Sequence, residues 1–231
     1  MSSADVAYKV EYPESDGKPM GETDLHRDWM IRILDILRYR YRGQRVYVAS
    51  DLLVYYEEGA PNRFVVPDVF LVKDCVPGRR RTFKTWEEQR VPDIVFEVTS
   101  RSSQREDEVF KLQLYARLAV QEYFLYDPTS DYLQPPLKGY RLVRGDYVQI
   151  RPEGSGALHS ELLAARIGLE RDEMVMTDAV TGETLLTEAA AERAAREVER
   201  AAREAAETRA AQLEAELERI RRQLNEHGDA E

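Results

Sequence analysis

From Thr23 onward the chain switches between two hydrophobic periods. In "TDLHRDWMIRILDILRYRYRG" the apolar residues Met30, Ile33, Leu34 and Leu37 share one helical face, Thr23 stands as N-cap, Asp24 and Asp28 lie near the start, and Gly43 ends the element. The following "RVYVASDLLVYYEEGAPNRFVVPDVFLVKD" changes to β-branched and aromatic runs broken at Ser50-Asp51 and at Gly59-Ala60-Pro61-Asn62, which predicts two or three antiparallel strands. From Cys75 to Arg90, "CVPGRRRTFKTWEEQR" has no clean period and reads as a long connection into a strand from Ile94 to Thr99.

Ser103-Gln104-Arg105-Glu106 reads as a capping box opening a helix from about Gln104 to Leu118. After it, "EYFLYDP" is a short strand closed by Asp127-Pro128. A helix between strands at 94–99 and 122–126 suits a parallel crossover. "GYRLVRGDYVQI", turning at Gly145-Asp146, and "MVMTDAVTGETLLT", turning at Thr181-Gly182, predict hairpins that cover the core.

The ends differ in composition. Residues 1–22 hold Pro13, Gly17, Pro19 and Gly21 among polar residues, the pattern of an extended arm ordered only by docking. From Glu188 to about Glu226 the chain is rich in Ala, Glu and Arg with no Gly or Pro, which predicts one long helix. Leu213, Leu217, Ile220 and Leu224 step by four, three and four, a coiled-coil seam of barely two heptads. That pattern fits a dimerisation tail and also a solvated, charge-laced single helix. The organisation is therefore an arm (1–22), a domain (23–187) and a terminal helix (188–231).

Charge narrows the function. Against 33 Lys and Arg stand 43 Asp and Glu, a formal charge of -10, which disfavours nonspecific coating of nucleic acid but leaves room for local basic patches. Arg79, Arg80, Arg81 and Lys84 form the one dense basic run, interleaved with Phe83 and Trp86, a mixture suited to phosphate contacts and base stacking and equally to a solvated loop. The single cysteine, Cys75, forms no internal disulfide, and no Cys/His cluster has zinc-ligand spacing, as expected in a reducing, cytoplasmic setting. "MSSADVAYKVEYPESDG" lacks the charged and apolar regions of a leader, and no run approaches ~18 apolar residues, so a soluble, unprocessed protein is expected. Without a Gly-x-Ser-x-Gly elbow, and with 3 histidines, serine hydrolysis is disfavoured.

The chemistry concentrates around "VPDIVFEVTS", where Asp93 and Glu97 interrupt an apolar run. On a strand they point the same way but lie about 13 Å apart, too far for one Mg²⁺ with ligands at ~2.0–2.1 Å. Asp93 is better read as a turn residue at the strand start. A second Pro-Asp, Pro67-Asp68, opens "PDVFLV". If that strand neighbours 94–99, Asp68 meets Glu97, and two carboxylates ~4 Å apart repel by about 4 kcal/mol at an effective dielectric near 20. Such a pair either keeps a proton or binds a divalent cation.

"VVPDVFLVKD" followed by "PDIVFEVTSRSSQREDEVFKLQLYARLAVQEYFLYDP" resembles the PD-(D/E)xK nuclease superfamily, specifically the Uma-two family of restriction-endonuclease-like proteins. The likeness extends through "ETDLHR", "DLLVYYEEG", "RRRTFKTWEE" and "EYFLYDP", roughly residues 22–187. It implies an α/β (α+β) fold with an αβββαβ core and a mixed central sheet, the order that patterning alone also suggests, here followed by the long C-terminal helix. It further implies Asp68 and Glu97 as metal ligands, with the backbone carbonyl of Val98, and a Mg²⁺- or Mn²⁺-dependent cut in DNA. Glu22 and His26, at the start of the first helix, are candidate accessory groups.

The departure from the motif is the lysine. Its place two residues after the glutamate is taken by Thr99, whose hydroxyl offers no positive charge. Related families move this lysine to the following helix, where Lys111 is the only lysine and Tyr115 follows it by four residues. The reading is thus a Mg²⁺-dependent endonuclease using Asp68, Glu97 and Lys111, with DNA met by the Arg79 to Lys84 loop and a homodimer formed through the terminal helix. The alternative is a catalytically silent descendant that binds nucleic acid or a protein partner.

Overall fold

In the computed structural model Thr23 Oγ1 accepts from the His26 amide at 3.2 Å, capping the first helix, α1 (Asp24–Arg40). Asp24 in its first turn and Arg38 and Arg40 in its last complement the helix dipole. Its buried face is broader than the periodicity suggested, with His26, Trp29 and Ile36 joining Ile33, Leu34 and Leu37. The structure describes residues 10–15, 23–100 and 103–228. It divides into two units, Met1–Thr187 and Glu188–Glu231.

Within the first unit the strands are β1 (Val46–Ser50), β2 (Val54–Tyr55), β3 (Phe64–Val65), β4 (Val69–Lys73), β5 (Phe83–Lys84), β6 (Ile94–Val98) and β7 (Glu122–Tyr126). There follow β8 (Leu137–Val143), β9 (Asp146–Gln149), β10 (Leu158–Ser160), β11 (Ala165–Glu170) and β12 (Glu173–Asp178). The central six-stranded sheet has the order β1-β4-β6-β7-β8-β9. β1, β4 and β6 are antiparallel, and β6 and β7 run parallel, so the sheet is mixed. Together with α1 and the helical crossover before β7 this is the expected αβββαβ order.

Side chains alternate across that sheet. Val69 and Leu71, Ile94, Phe96 and Val98, and Phe124 and Tyr126 join the core under α1, where Leu158, Ile167 and Met176 of the β10-β11-β12 sheet also pack. Phe70 and Val72, Val95, and Tyr123 and Leu125 join the opposite core, with Val54, Val65 and Phe83 of the small β3-β2-β5 sheet and Tyr115. Both faces of β6 are therefore covered, which is why "IVFEV" is almost continuously apolar.

Four local expectations need correction. The connection from Cys75 to Arg90 is not featureless: it forms β5, which pairs parallel to β2, and a short helix α2 (Thr85–Glu88). A two-residue strand and one helical turn are too short to show a period. The helix after β6 is irregular, a π-helical stretch Glu106–Lys111 running into α3 (Leu112–Arg117). The capping box is not seen among the described residues: Ser103 Oγ instead accepts from the Ser100 amide at 3.0 Å, while helical backbone begins at Gln104 as expected. Finally, Val143 pairs with Asp146, so the hairpin turns at Arg144-Gly145, both at positive φ (54° and 94°), as a two-residue turn between twisted strands demands.

The described part of the arm is docked. Tyr12 meets Tyr55 edge-on at 5.0 Å and accepts from the Gly59 amide at 2.6 Å, while Tyr55 donates to the Pro13 carbonyl at 2.6 Å. The second unit is α4 (Glu188–Gly228), laced by i,i+4 pairs such as Arg203 with Glu207 at 2.9 Å. Leu213 and Leu217 are exposed on it. Among the described residues no helix is long and apolar enough to cross a membrane.

Close approach to Gly139 of β8 tests this fit. A methyl added there would lie 2.9 Å from Phe124 Cε1 and 3.0 Å from Leu158 Cδ1. Gly139→Ala is expected to lower the unfolding free energy by about 1–3 kcal/mol, read by urea titration. An unchanged midpoint would contradict the described fit.

Candidate functional site

Register brings the two acids together. With Val69 opposite Phe96, the flanking residues Asp68 and Glu97 face each other across β4 and β6. Each carboxylate touches the other residue's strand: the Asp68 amide donates to Glu97 Oε2 at 3.3 Å, and the Val98 amide donates to Asp68 Oδ2 at 2.6 Å. Asp93 is elsewhere. Its Oδ2 accepts from the Lys73 amide at 2.6 Å, tying β6 to the end of β4 as a strand-start residue should.

Glu97 points into the core beneath the crossover helix and is 1% exposed. Three side chains from the segment 107–115 gather around it. Tyr115 OH donates to Glu97 Oε1 at 2.7 Å, Lys111 Nζ lies 2.9 Å from Glu97 Oε2, and the same ammonium lies 3.1 Å from Asp107 Oδ1. From the other side His26 Nε2 sits 3.2 Å from Asp68 Oδ2. His26 is buried, 3% exposed. Glu22 lies outside the described residues.

The backbone explains how Asp107, Lys111 and Tyr115 share a face. In an α-helix four residues overshoot one turn by about 40°, so residues i, i+4 and i+8 drift around the axis. A π turn is wider and lags instead. One π turn from Asp107 to Lys111 followed by one α turn to Tyr115 cancels the drift. Tyr123 OH donates to the Asp107 carbonyl at 3.0 Å and pins the π stretch to the sheet.

Burial pushes the Glu97 carboxyl well above the usual carboxylate range, with Lys111 pulling it down and Asp68 and Asp107 pushing it further up. Burial likewise raises Asp107. Lys111 goes the other way: burial would lower it, but the nearby Glu97, Asp107 and Asp68 carboxylates together raise it, so the ammonium stays charged. Burial also drives the Tyr115 phenol well up, leaving it a donor. One ammonium facing three acids leaves the cluster with excess negative charge or a retained proton.

That surplus suits a hard cation. Among the described residues no three carboxylate, imidazole or thiol side chains converge on one metal-sized point. The available donors are the Asp68 and Glu97 carboxylates, with the Val98 carbonyl one residue on. Mg²⁺ commonly binds through one or two carboxylates while keeping several waters, so this oxygen-only set fits it and Mn²⁺. Thr99 is buried, and its hydroxyl has no hydrogen-bond partner among the described residues.

Most of the basic run has acidic neighbours. Arg80 clamps Glu88 through Nε at 2.6 Å and Nη2 at 3.0 Å, and its guanidinium covers the Tyr47 ring at 4.0 Å. Hydrogen bonding to Arg80 holds Glu88 below the usual carboxylate range. Arg81 meets Glu14 at 2.5 Å, and Lys84 meets Glu87 at 2.9 Å while lying 4.9 Å from the Tyr12 ring centre. Neighbouring acids thus pair with three of the four cations, Arg80, Arg81 and Lys84.

Asp107 escaped sequence reasoning. It lay inside the expected helix four residues before Lys111, but a regular helix gave no reason to aim the pair at Glu97. Because Lys111 neutralises two buried acids, Lys111→Met is expected to lower the unfolding free energy by about 3–5 kcal/mol in a urea titration at neutral pH. A loss below about 1 kcal/mol would mean that the ammonium is not the internal counter-charge.

Comparison with known proteins follows the geometry. Among curated proteins none matches the chain. A crystal structure of a putative nuclease belonging to DUF820 from Anabaena variabilis aligns with a TM-score of 0.47 at 13% identity, covering 67% of this chain and 87% of that one. The family model described as "Putative restriction endonuclease" matches residues 6–173, and the chain belongs to that family, Uma2.

Proposed function

We propose that the chain is a divalent-cation-dependent endonuclease that hydrolyses phosphodiester bonds in DNA, with Asp68, Glu97 and the Val98 carbonyl holding the cation and Lys111 acting on the attacking water. The observation that carries this reading is the 2.9 Å approach of Lys111 Nζ to Glu97 Oε2, beside the cross-strand pair of Glu97 with Asp68. It supports reading the helix-borne ammonium at Glu97 as the counterpart of the lysine absent at Thr99.

Bound Mg²⁺ or Mn²⁺ would supply Lewis-acid polarisation of a phosphoryl oxygen and a lowered water pKa. The chain's own groups do the rest. Lys111 would donate to the water and offset charge on the phosphorane-like transition state, while Asp107 holds the ammonium from its other side. Tyr115 holds the second Glu97 oxygen, and His26 holds Asp68. Hydrolysis adds water across the P–O bond, leaving a phosphate monoester on one end and a hydroxyl on the other.

A second reading has its own observation. The uncharged Thr99 and a Lys111 clamped between two acids also suit a silent nuclease fold that binds nucleic acid or a protein partner. Glu97→Ala separates the two. Under the first reading it lowers Mg²⁺-dependent cleavage of plasmid DNA by at least about 100-fold while the circular dichroism spectrum is kept. Cleavage equal in both proteins would sink the assignment, and absence of cleavage in both would favour the silent reading.

The chain is further proposed to pair with a second copy through α4, where Leu213 and Leu217 are exposed in the single chain. Its one cysteine, buried Cys75, suits a reducing cytoplasm. Removing residues 188–231 is expected to convert the dimer to a monomer of the shortened chain, read as molar mass by light scattering. A shortened chain that is still dimeric would exclude this helix as the dimer contact.

A further inference from the structure

We infer that a cavity formed by Arg38, Arg42 and Arg79 binds a phosphate ester, and we identify it with a backbone phosphate of the nucleic acid away from the reacting one; this rests on the nuclease reading above. The cavity, about 370 Å³, opens where the C-terminal turn of α1 meets the outer edge of β1 and the Pro77-Gly78-Arg79 segment. No Asp or Glu lines it. Tyr41 and Tyr47 supply part of its wall.

The three arginines stand apart from their neighbours. Arg40 pairs with Asp178 at 3.0 Å, Arg80 with Glu88, Arg81 with Glu14 and Arg32 with Glu173. Among the described residues no carboxylate lies within ion-pair distance of Arg38, Arg42 or Arg79. Three such cations converge on one concavity that no acid lines. Two of them are also pre-positioned: Arg38 Nε and Nη2 donate to the Val48 carbonyl at 3.3 Å, and the Arg42 guanidinium lies 4.4 Å over the Tyr39 ring.

Physical chemistry selects the ligand class. The partial negative charge at the end of α1 is about half a unit and is outweighed by three guanidiniums. Arginine forks match phosphate oxygens bidentately, and a cavity at the small end of ligand sites suits one nucleotide unit rather than a dinucleotide cofactor. Its location favours the substrate as the source. β1 forms a wall of the cavity and pairs with β4, with Ser50 opposite Val69, the residue after Asp68. The cavity lies at the other end of β1, at Val46 to Val48, so a strand that also reaches Asp68 and Glu97 runs along this sheet edge for ~13 Å or more, and Arg79 is the member of the basic run without an ion pair among the described residues.

The test uses the full chain with exposed Arg42 and Arg79 both reversed, Arg42→Glu/Arg79→Glu, and with Arg42→Gln/Arg79→Gln as the milder variant should the first not fold. Binding of a fluorescein-labelled DNA duplex is followed by anisotropy in Ca²⁺ across a NaCl series. The dissociation constant is expected to rise at least about 10-fold, and the slope of log K against log salt to become shallower by about 2, for two lost phosphate contacts. Adenosine monophosphate and inorganic phosphate are titrated in parallel. Arginine-dependent binding of those small anions with duplex affinity unchanged would keep the phosphate-ester site and reassign its source to a free ligand. Unchanged duplex affinity and slope with no arginine-dependent anion binding overturns the inference. Arginine-dependent duplex binding by a protein that never cleaves would leave it standing and remove the nuclease activity instead.

Discussion

A carboxylate buried to 1% exposure governs this molecule. Left alone, an ionised Glu97 in an apolar core would lose several kcal/mol of hydration, so it requires a proton, a cation or a dense set of donors around it. The fold provides all three options in one place. Tyr115 takes one oxygen, while the Asp68 amide and the Lys111 ammonium take the other. Because those groups come from β4 and from the crossover helix, the same residue fixes the β4–β6 register and the helix-to-sheet approach.

The π stretch is the local consequence. A regular helix over 104–118 would carry Lys111 and Tyr115 progressively off the face that Asp107 begins, and at least one of them would miss the sheet. Widening one turn restores the phase, with the Tyr123 hydroxyl holding the Asp107 carbonyl in place. Irregular backbone is tolerated here because three buried ionisable groups and a phenol over-determine its geometry.

How far the sequence discloses this depends on the length scale of each signal. The α1 pattern, the "IVFEV" and "EYFLY" strands and the parallel crossover were legible because each repeats a period over several residues. So was the separation of Asp93 from Glu97, which follows from the strand rise alone. β5, α2 and the Arg144-Gly145 turn were not, since two to four residues carry no period. The pairing within the basic run was not legible for another reason: charge density along a sequence does not reveal which cations meet a carboxylate in space, and Glu14, Glu87 and Glu88 pair with Arg81, Lys84 and Arg80 only once the arm and α2 are folded. Asp107 was hidden because its partner lies one π turn away, and no propensity rule anticipates a π turn.

Thr99 and Lys111 make sense as alternatives. A lysine at 99 would approach Glu97 from its own strand, and with Lys111 already 2.9 Å from Glu97 the two ammonium groups would lie close together in a poorly hydrated space. Like charges ~4 Å apart repel by about 4 kcal/mol at an effective dielectric near 20, more than a second ion pair to the same carboxylate would return. One cation per site is the stable count. Supplying it from the helix makes its position depend on Asp107, Tyr115 and the π turn together, so the counter-charge of Glu97 is tied to correct docking of the crossover helix. A strand-borne lysine would carry no such dependence, and the buried, unpartnered hydroxyl of Thr99 marks the place it would have occupied.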